Sequence, residues 1–115
     1  MPTPFDPSAV FGARATTPQV EIFPGVFRRT VVWSERVMVC EINLPRGTTV
    51  PPHSHVHEQC GYLVRGLLRF TIGGQTADIA VGGGWFVPSG VTHSVEAIED
   101  TIAIDIFSPV REEYK

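Results

Sequence analysis

Four side chains with metal-binding donor atoms lie at short spacing in the chain: His53, His55, Gln59 and, further along, His93. Side chains of an extended strand alternate between its two faces, so residues two apart point to the same side. His53 and His55 therefore share a face, and Gln59 joins them if the strand continues after a short irregularity. Imidazoles are common ligands of zinc, copper, iron and nickel, and a neutral oxygen ligand is compatible with these ions. The spacing predicts a single metal ion, with His93 supplied by a partner strand.

A carboxylate lies among apolar residues near the end of the sequence. In the predicted strand from Thr101 to Phe107, Asp105 and Phe107 share one face. Burying a carboxylate is costly unless it is paired or has a function, so Asp105 is a candidate catalytic residue. An aspartate satisfied by a turn amide or by an arginine is the ordinary alternative. Arg111 follows shortly after and could bind an anionic group, although the sequence alone favours a solvated surface arginine.

Strands must position these residues, because the sequence from Val20 onwards is typical of an all-β protein. Runs of β-branched and aromatic residues, such as Val26–Trp33 and Leu67–Ile72, alternate with turn signals such as Gly73-Gly74. An apolar period of about 3.6 residues nowhere persists for three helical turns. Many short strands separated by glycine and proline turns predict a sandwich or barrel.

The length of 115 residues fits one domain. Residues 1–19 are rich in proline, threonine and alanine and are predicted to form an arm on the surface, whereas residues 20–115 form the domain. The net charge of −3 and the lack of a basic block argue against a nucleic-acid partner. Cys40 and Cys60 are isolated in the sequence and are expected to be small buried thiols rather than a disulfide.

The sequence has neither a charged and apolar secretory start nor a stretch approaching the roughly 20 apolar residues that cross a bilayer. We therefore expect a cytoplasmic protein without a membrane partner. Ile102, Ile104 and Ile106 form the face of the last strand opposite Asp105. This apolar exterior needs a cover, either the arm or a second subunit, and a homodimer is expected.

Two motifs resemble the signature motifs of the cupin superfamily. The first consists of Gly47, His53, His55, Gln59 and Gly66. The second consists of Gly82, Pro88, Gly90 and His93. The resemblance covers residues 47–97 and implies the cupin double-stranded β-helix, a jelly-roll barrel, with a metal ion held by the histidines and the glutamine of the motifs.

The chain departs from the cupin pattern at two positions. Gln59 replaces the usual acidic ligand, and Ala97 replaces the asparagine that often ends the second motif. Three neutral imidazoles and a neutral amide leave the charge of a divalent ion uncompensated, so the site should attract an anion and act as a Lewis acid. Glu58 remains an alternative ligand, although its parity directs it away, and His57 is expected at the surface or beside the ligands. Nickel, zinc, manganese and iron all remain possible.

A narrower resemblance concerns two segments, Pro52–Gln59 with the following Gly61-Tyr62, and Asp105–Tyr114. Both resemble the small single-domain cupins of the KdgF type, which act on unsaturated monouronates from pectin and alginate. The resemblance implies an active site lined by Asp105, Phe107 and Arg111.

The implied activity is metal-dependent conversion of a 4,5-unsaturated monouronate, a small anionic sugar, to the linear 5-keto-4-deoxyuronate. Asp105 would transfer protons, Arg111 would hold the substrate carboxylate, and Phe107 would pack on the sugar. Two alternatives remain from the sequence: a cupin dioxygenase acting on a small aromatic or diol, and a non-enzymatic cupin that binds a ligand or metal. Cupins host many functions, so the fold does not decide among them.

Overall fold

A computed structural model describes residues 10–115 and is built almost entirely from β-strands. The ten strands in this part of the chain are β1 Val20–Phe23, β2 Val26–Trp33, β3 Met38–Leu44, β4 Thr49–His53, β5 Glu58–Arg65, β6 Leu67–Ile72, β7 Gln75–Ala80, β8 Gly84–Val87, β9 His93–Ala97 and β10 Thr101–Ser108. Short 3-10 turns occur at Arg14–Thr16 and Glu112–Tyr114. The predicted all-β class is confirmed.

The strands form two antiparallel sheets in a jelly-roll arrangement. The larger sheet has the order β1-β2-β3-β10-β5-β8, and the smaller has the order β4-β9-β6-β7. The last strand, β10, lies between β3 and β5, so Asp105 has Cys40 on one side and Gly61 on the other. Because the chain passes from one sheet to the other several times, residues close in sequence contribute to opposite walls of the interior.

The core lies between the sheets and follows from strict alternation along the strands. In β3, Met38, Cys40, Ile42 and Leu44 are buried while the residues between them are only partly covered. Burial of such apolar side chains contributes most of the stabilisation of a fold of this size. The prediction of small buried thiols holds for Cys40 but is wrong for Cys60, which is exposed because it alternates with the inward-facing Gln59 in β5.

Strand boundaries agree closely with the sequence pattern, with one difference that matters for the site. β2 and β6 have the predicted bounds, whereas the segment after His55, expected to be a short irregularity within one strand, leads into a separate strand, β5, which begins at Glu58. Its first residues pair with Ser108 and Phe107 of β10, so the ladder extends over a segment that looked irregular in the sequence. This extension places Gln59 on a regular strand facing the interior.

The predicted N-terminal arm is only partly covered by the structure. Residues 1–9 lie outside the described part of the chain, and residues 10–19 carry a 3-10 turn before β1 begins at Val20. Arg14 in that turn donates from Nε to Glu41 Oε1 on β3 at 2.6 Å.

Ile102 and Ile104 are partly exposed and Ile106 is exposed, so the apolar face of β10 does point outwards. No helix in residues 10–115 is long and apolar enough to cross a membrane.

Candidate metal centre

His53 and His93 occupy facing positions on neighbouring strands. His53 is the last residue of β4, His93 is the first residue of β9, and the two are direct partners in the antiparallel ladder. His55 lies two residues beyond the end of β4, in the loop that leads to β5. One ring nitrogen from each of the three histidines lies within 4.8 Å of the other two. The structure therefore brings together the three histidines that the sequence singled out.

The ring orientation of each histidine is fixed by a backbone carbonyl. The Nδ1 atoms of His53, His55 and His93 lie 2.9, 2.9 and 3.0 Å from the carbonyl oxygens of Pro51, His57 and Val91. A carbonyl only accepts hydrogen bonds, so Nδ1 carries the hydrogen and Nε2 keeps its lone pair. Outer contacts of this kind orient histidine ligands in metal sites.

The donor atoms have the character that a metal ion requires. His93 Nε2 is buried and has no hydrogen-bond partner among the described residues. Burial lowers the pKa of His93 to about 4, and burial followed by the nearby Arg111 lowers the pKa of His55. Both imidazoles are therefore neutral around pH 7, which is the form that binds metal. The three histidines fit a divalent ion.

Gln59 joins the histidines from the opposite sheet. Its Nε2 donates to Asp105 Oδ1 at 2.9 Å, which fixes the amide so that Oε1 faces His55 Nε2 at 3.2 Å. Because His55 keeps its lone pair on Nε2, this nitrogen and Gln59 Oε1 are two acceptors that face each other. A cation bound by both atoms would stabilise this arrangement. The sequence argument placed Gln59 on the same strand as the histidine pair, and this placement is wrong. The chain crosses between sheets after His55, and Gln59 converges on the cluster from β5.

Asp105 is connected to this cluster by a hydrogen bond from Gln59. Its Oδ1 accepts hydrogen bonds from Gln59 Nε2 and from Trp85 Nε1, each at 2.9 Å. Burial raises the pKa of Asp105 to about 6, against the lowering effects of those two donors and of Arg111. The carboxyl group thus faces the interior beside the candidate metal ligands, with Oδ2 accepting no hydrogen bond from the described residues.

Phe107 and Arg111 lie on the same side of the interior. The Phe107 ring is 2% exposed and meets the His55 ring edge-on at a centroid distance of 5.8 Å. The Arg111 guanidinium carbon lies 5.0 Å from the centroid of Phe107 and 4.0 Å from that of Tyr114. Its Nε donates to Glu113 Oε1 at 3.0 Å. The arginine is therefore held by two aromatic rings and a carboxylate.

A single cavity connects these groups. It is lined by His53, Gln59, His93, Asp105, Phe107 and Arg111 together with apolar residues that include Ile22, Phe23, Val50, Leu68 and Phe70. Titratable groups and proposed metal ligands thus line the cavity together with aliphatic and aromatic side chains from both sheets. A mainly apolar pocket with a few polar groups suits a small ligand.

Two residues that contact Asp105, Phe107 or Arg111 in this cavity were not singled out in the sequence. Trp85 hydrogen-bonds to Asp105, and Tyr114 is buried at the C-terminal turn, with its ring against Phe107 and Arg111. A buried carboxylate requires donors, so a tryptophan, which carries an N–H group, was a possible signal for Trp85. The position of Tyr114 depends on how the last residues fold back, which no local pattern predicts. Glu58 is exposed, as its parity predicted.

Comparisons with known proteins agree with this architecture. The cupin domain profile matches residues 40–107. The pectin degradation protein KdgF of Dickeya dadantii is 28% identical over 100 residues, covering 85% of this chain and 91% of that protein. KdgF from Halomonas sp. superposes with a TM-score of 0.86 at 28% identity, covering 91% of this chain and 97% of the other.

A second solved structure leads to the same conclusion. An RmlC-like cupin from Shewanella frigidimarina superposes with a TM-score of 0.88 at 28% identity, covering 92% of this chain and 96% of the other. The match thus extends beyond the motif region to nearly the whole of both chains. The profile match, the jelly-roll topology and the three-histidine cluster agree: this chain belongs to the cupin family.

Proposed function

We propose that this cupin opens the ring of 4,5-unsaturated monouronates and yields the linear 5-keto-4-deoxyuronate. The observation that carries the proposal is the position of Asp105, whose carboxyl group lies beside the three-histidine cluster in a cavity that also contains Arg111. Similarity to pectin degradation proteins over most of the chain supports it.

The proposed substrate has a ring oxygen that belongs both to an enol ether and to a hemiacetal. Loss of the C1 hydroxyl proton breaks the bond between C1 and the ring oxygen, which gives an aldehyde at C1 and an enolate at C5. Protonation of the enolate at C4 then gives the 5-keto group. One proton leaves an oxygen and one is added to carbon, so the reaction needs no oxidant, no reductant and no water.

Asp105 is the residue proposed to move these protons. Its Oδ1 is occupied by the two N–H donors, whereas Oδ2 is free of hydrogen bonds from the described residues. A single carboxyl group can accept the hydroxyl proton and deliver a proton to C4 if both sites come within hydrogen-bonding reach. General acid–base help of this kind contributes typically about 10²–10⁴-fold to a rate.

The remaining side chains are proposed to bind and orient the sugar. The Arg111 guanidinium would pair with the substrate carboxylate, because its planar donors match that group. Phe107 would pack against the sugar and keep water from the reacting atoms. The histidines and Gln59 would hold a divalent ion, with nickel, zinc, manganese and iron as candidates. Such an ion polarises substrate oxygens without a change of oxidation state.

The test is direct. Unsaturated monouronate is produced with a pectate or alginate lyase, and the loss of ultraviolet absorbance from its conjugated double bond is followed with and without the metal-loaded protein. We expect a faster loss than the spontaneous rate, and appearance of the linear keto acid in the NMR spectrum. Asp105→Asn protein with the same metal content serves as the control for nonspecific catalysis. An unchanged rate with fully metal-loaded wild-type protein would contradict the proposal.

The apolar residues that line the cavity support a second candidate function. Ile22, Phe23, Val50 and Phe70 would accommodate a small aromatic or diol substrate of a cupin dioxygenase. Such an activity requires a redox-active ion and consumes oxygen, whereas uronate ring opening does not. Oxygen uptake by the iron-loaded protein on candidate diols separates the two functions.

A further inference from the structure

The geometry points to Trp85 as a positioning residue that fixes the Asp105 carboxyl group and leaves Oδ2 as the oxygen that meets the substrate. This inference rests on the proposed role of Asp105 and adds a residue on which that role would depend. It is carried by a hydrogen bond, by the register of three strands and by the absence of a side chain at Gly61.

The first observation is that both N–H donors to Asp105 reach the same oxygen. Trp85 Nε1 and Gln59 Nε2 each donate to Oδ1 at 2.9 Å. An indole nitrogen only donates, and the Gln59 amide nitrogen only donates as well, so Oδ1 must remain an acceptor. A proton carried by this carboxyl group is therefore located on Oδ2.

The second observation is a row of three residues across three strands. Asp105 on β10 is paired with Gly61 on β5, and Gly61 is paired with Trp85 on β8. A Cβ atom built on Gly61 would overlap Nε1, Cε2 and Cζ2 of the Trp85 indole. The indole therefore crosses over β5 at Gly61, and only glycine leaves room for its N–H to reach a carboxylate two strands away.

The third observation is that the indole has little freedom to turn away. Trp85 is 8% exposed, and its ring packs against Phe70 at a centroid distance of 5.2 Å. Phe70 in turn lies nearly parallel to the His93 ring, at a centroid distance of 6.4 Å. The side chain that orients Asp105 is thus braced by a residue that also contacts a candidate metal ligand.

The ordinary explanation is that Asp105 merely satisfies a buried indole N–H, because such groups usually find a partner. The two explanations differ in what the N–H does. If it only stabilises the fold, its loss lowers stability and leaves kcat unchanged. If it positions Asp105, its loss lowers kcat while substrate binding and metal content remain.

The test removes the N–H and keeps the shape of the side chain. Trp85 is replaced with benzothienylalanine, in which sulfur takes the place of the indole N–H, and the same replacement at the exposed Trp33 is the matched control. At position 85 we expect kcat to fall by about 10-fold or more, as for loss of a hydrogen bond to a charged group, with KM and metal content unchanged. At position 33 we expect no change. An unchanged kcat at position 85 would overturn the inference.

A second measurement does not depend on activity. The chain has two tryptophans, so an ¹⁵N-labelled sample has two indole N–H resonances, and Trp33→Phe assigns them. Asp105→Ala should shift the Trp85 resonance and speed its hydrogen exchange while leaving that of Trp33 unchanged. Gly61→Ala should displace the same resonance. A Trp85 resonance that neither variant changes would overturn the inference. If it responds but wild-type protein does not convert the uronate, the contact between Trp85 and Asp105 is supported and only the proposed function fails.

Discussion

His53 and His93 are direct neighbours across the ladder between β4 and β9, and their ring centroids lie 4.2 Å apart. Each ring is held through Nδ1 by the carbonyl two residues before it, that of Pro51 within β4 and that of Val91 in the loop just before β9. The two strands therefore present their imidazoles in the same way. This local symmetry directs both Nε2 atoms towards the interior, where His55 and Gln59 meet them.

Loss of His93 should abolish stoichiometric metal binding. Its Nε2 is buried without a hydrogen-bond partner among the described residues, and its removal leaves His53, His55 and Gln59 of the four proposed ligands. Loss of an outer contact typically weakens metal affinity by about 10–100-fold, and loss of a ligand itself should cost more. We expect less than one ion per chain in His93→Ala after dialysis, measured by elemental analysis. His57→Ala is the control, and retention of a full ion by His93→Ala would contradict the proposed centre.

Asp105→Asn should lower the turnover of unsaturated uronate by about 10²–10⁴-fold, as expected when an acid–base group is lost. The amide has nearly the same size and keeps an oxygen that can accept from Trp85 and Gln59, so folding and metal content should be retained. Kinetics and elemental analysis on the same preparation check both points. Asp78→Asn removes an exposed carboxylate and should leave the rate unchanged. Wild-type turnover by Asp105→Asn would exclude the proposed proton transfer.

Arg111→Met should raise KM by about 10-fold or more and affect kcat less, because it removes a charge-assisted pair with the substrate carboxylate. Arg111→Lys should recover only part of the affinity. The guanidinium plane packs over Phe107 and Tyr114, which an ammonium group cannot reproduce. Arg36→Met is the surface control. Equal KM values for wild type and Arg111→Met, measured by steady-state kinetics, would show that the arginine does not bind the substrate carboxylate.

Gly66→Ala should destabilise the fold more than Gly74→Ala. Both glycines have φ in the left-handed region, at +99° and +85°, so alanine costs roughly 1–2 kcal/mol of backbone strain at either position. At Gly66 the added Cβ would also collide with the Asp100 carbonyl oxygen and with Thr101, whereas nothing lies within 4 Å at Gly74. Urea unfolding of the two variants measures the difference. Equal destabilisation would mean that the backbone relaxes around Gly66.

A homodimer remains a prediction, and the structure defines the surface to change. Ile104 and Ile106 on β10 are paired with Tyr62 and Cys60 on β5, and Phe86 on β8 continues this outer face. Ile106, Tyr62 and Phe86 are exposed, so an apolar area is available to a second copy. We expect a dimer mass in sedimentation at micromolar concentration and a monomer mass for Ile106→Lys. Monomeric wild-type protein would contradict the prediction.

The sequence alone determined the all-β class and which residues share a face. Alternation along one strand is a local property, so the common side of Asp105 and Phe107 follows from the sequence directly. The same rule predicted that Ile102, Ile104 and Ile106 point outwards, as they do. The spacing of glycines, prolines and histidines in the two motifs was sufficient for the resemblance to cupins.

Only the tertiary structure decided which strands are neighbours. Gln59 reaches the histidines from the opposite sheet, and Trp85 reaches Asp105 by crossing over Gly61. Tyr114 enters the cavity because the last residues fold back, with the Thr30 hydroxyl donating to the Tyr114 carbonyl oxygen. These contacts join residues far apart in the sequence. Periodicity gives the direction of a side chain but not the partner it meets, which depends on how the packed sheets fill the interior as a whole.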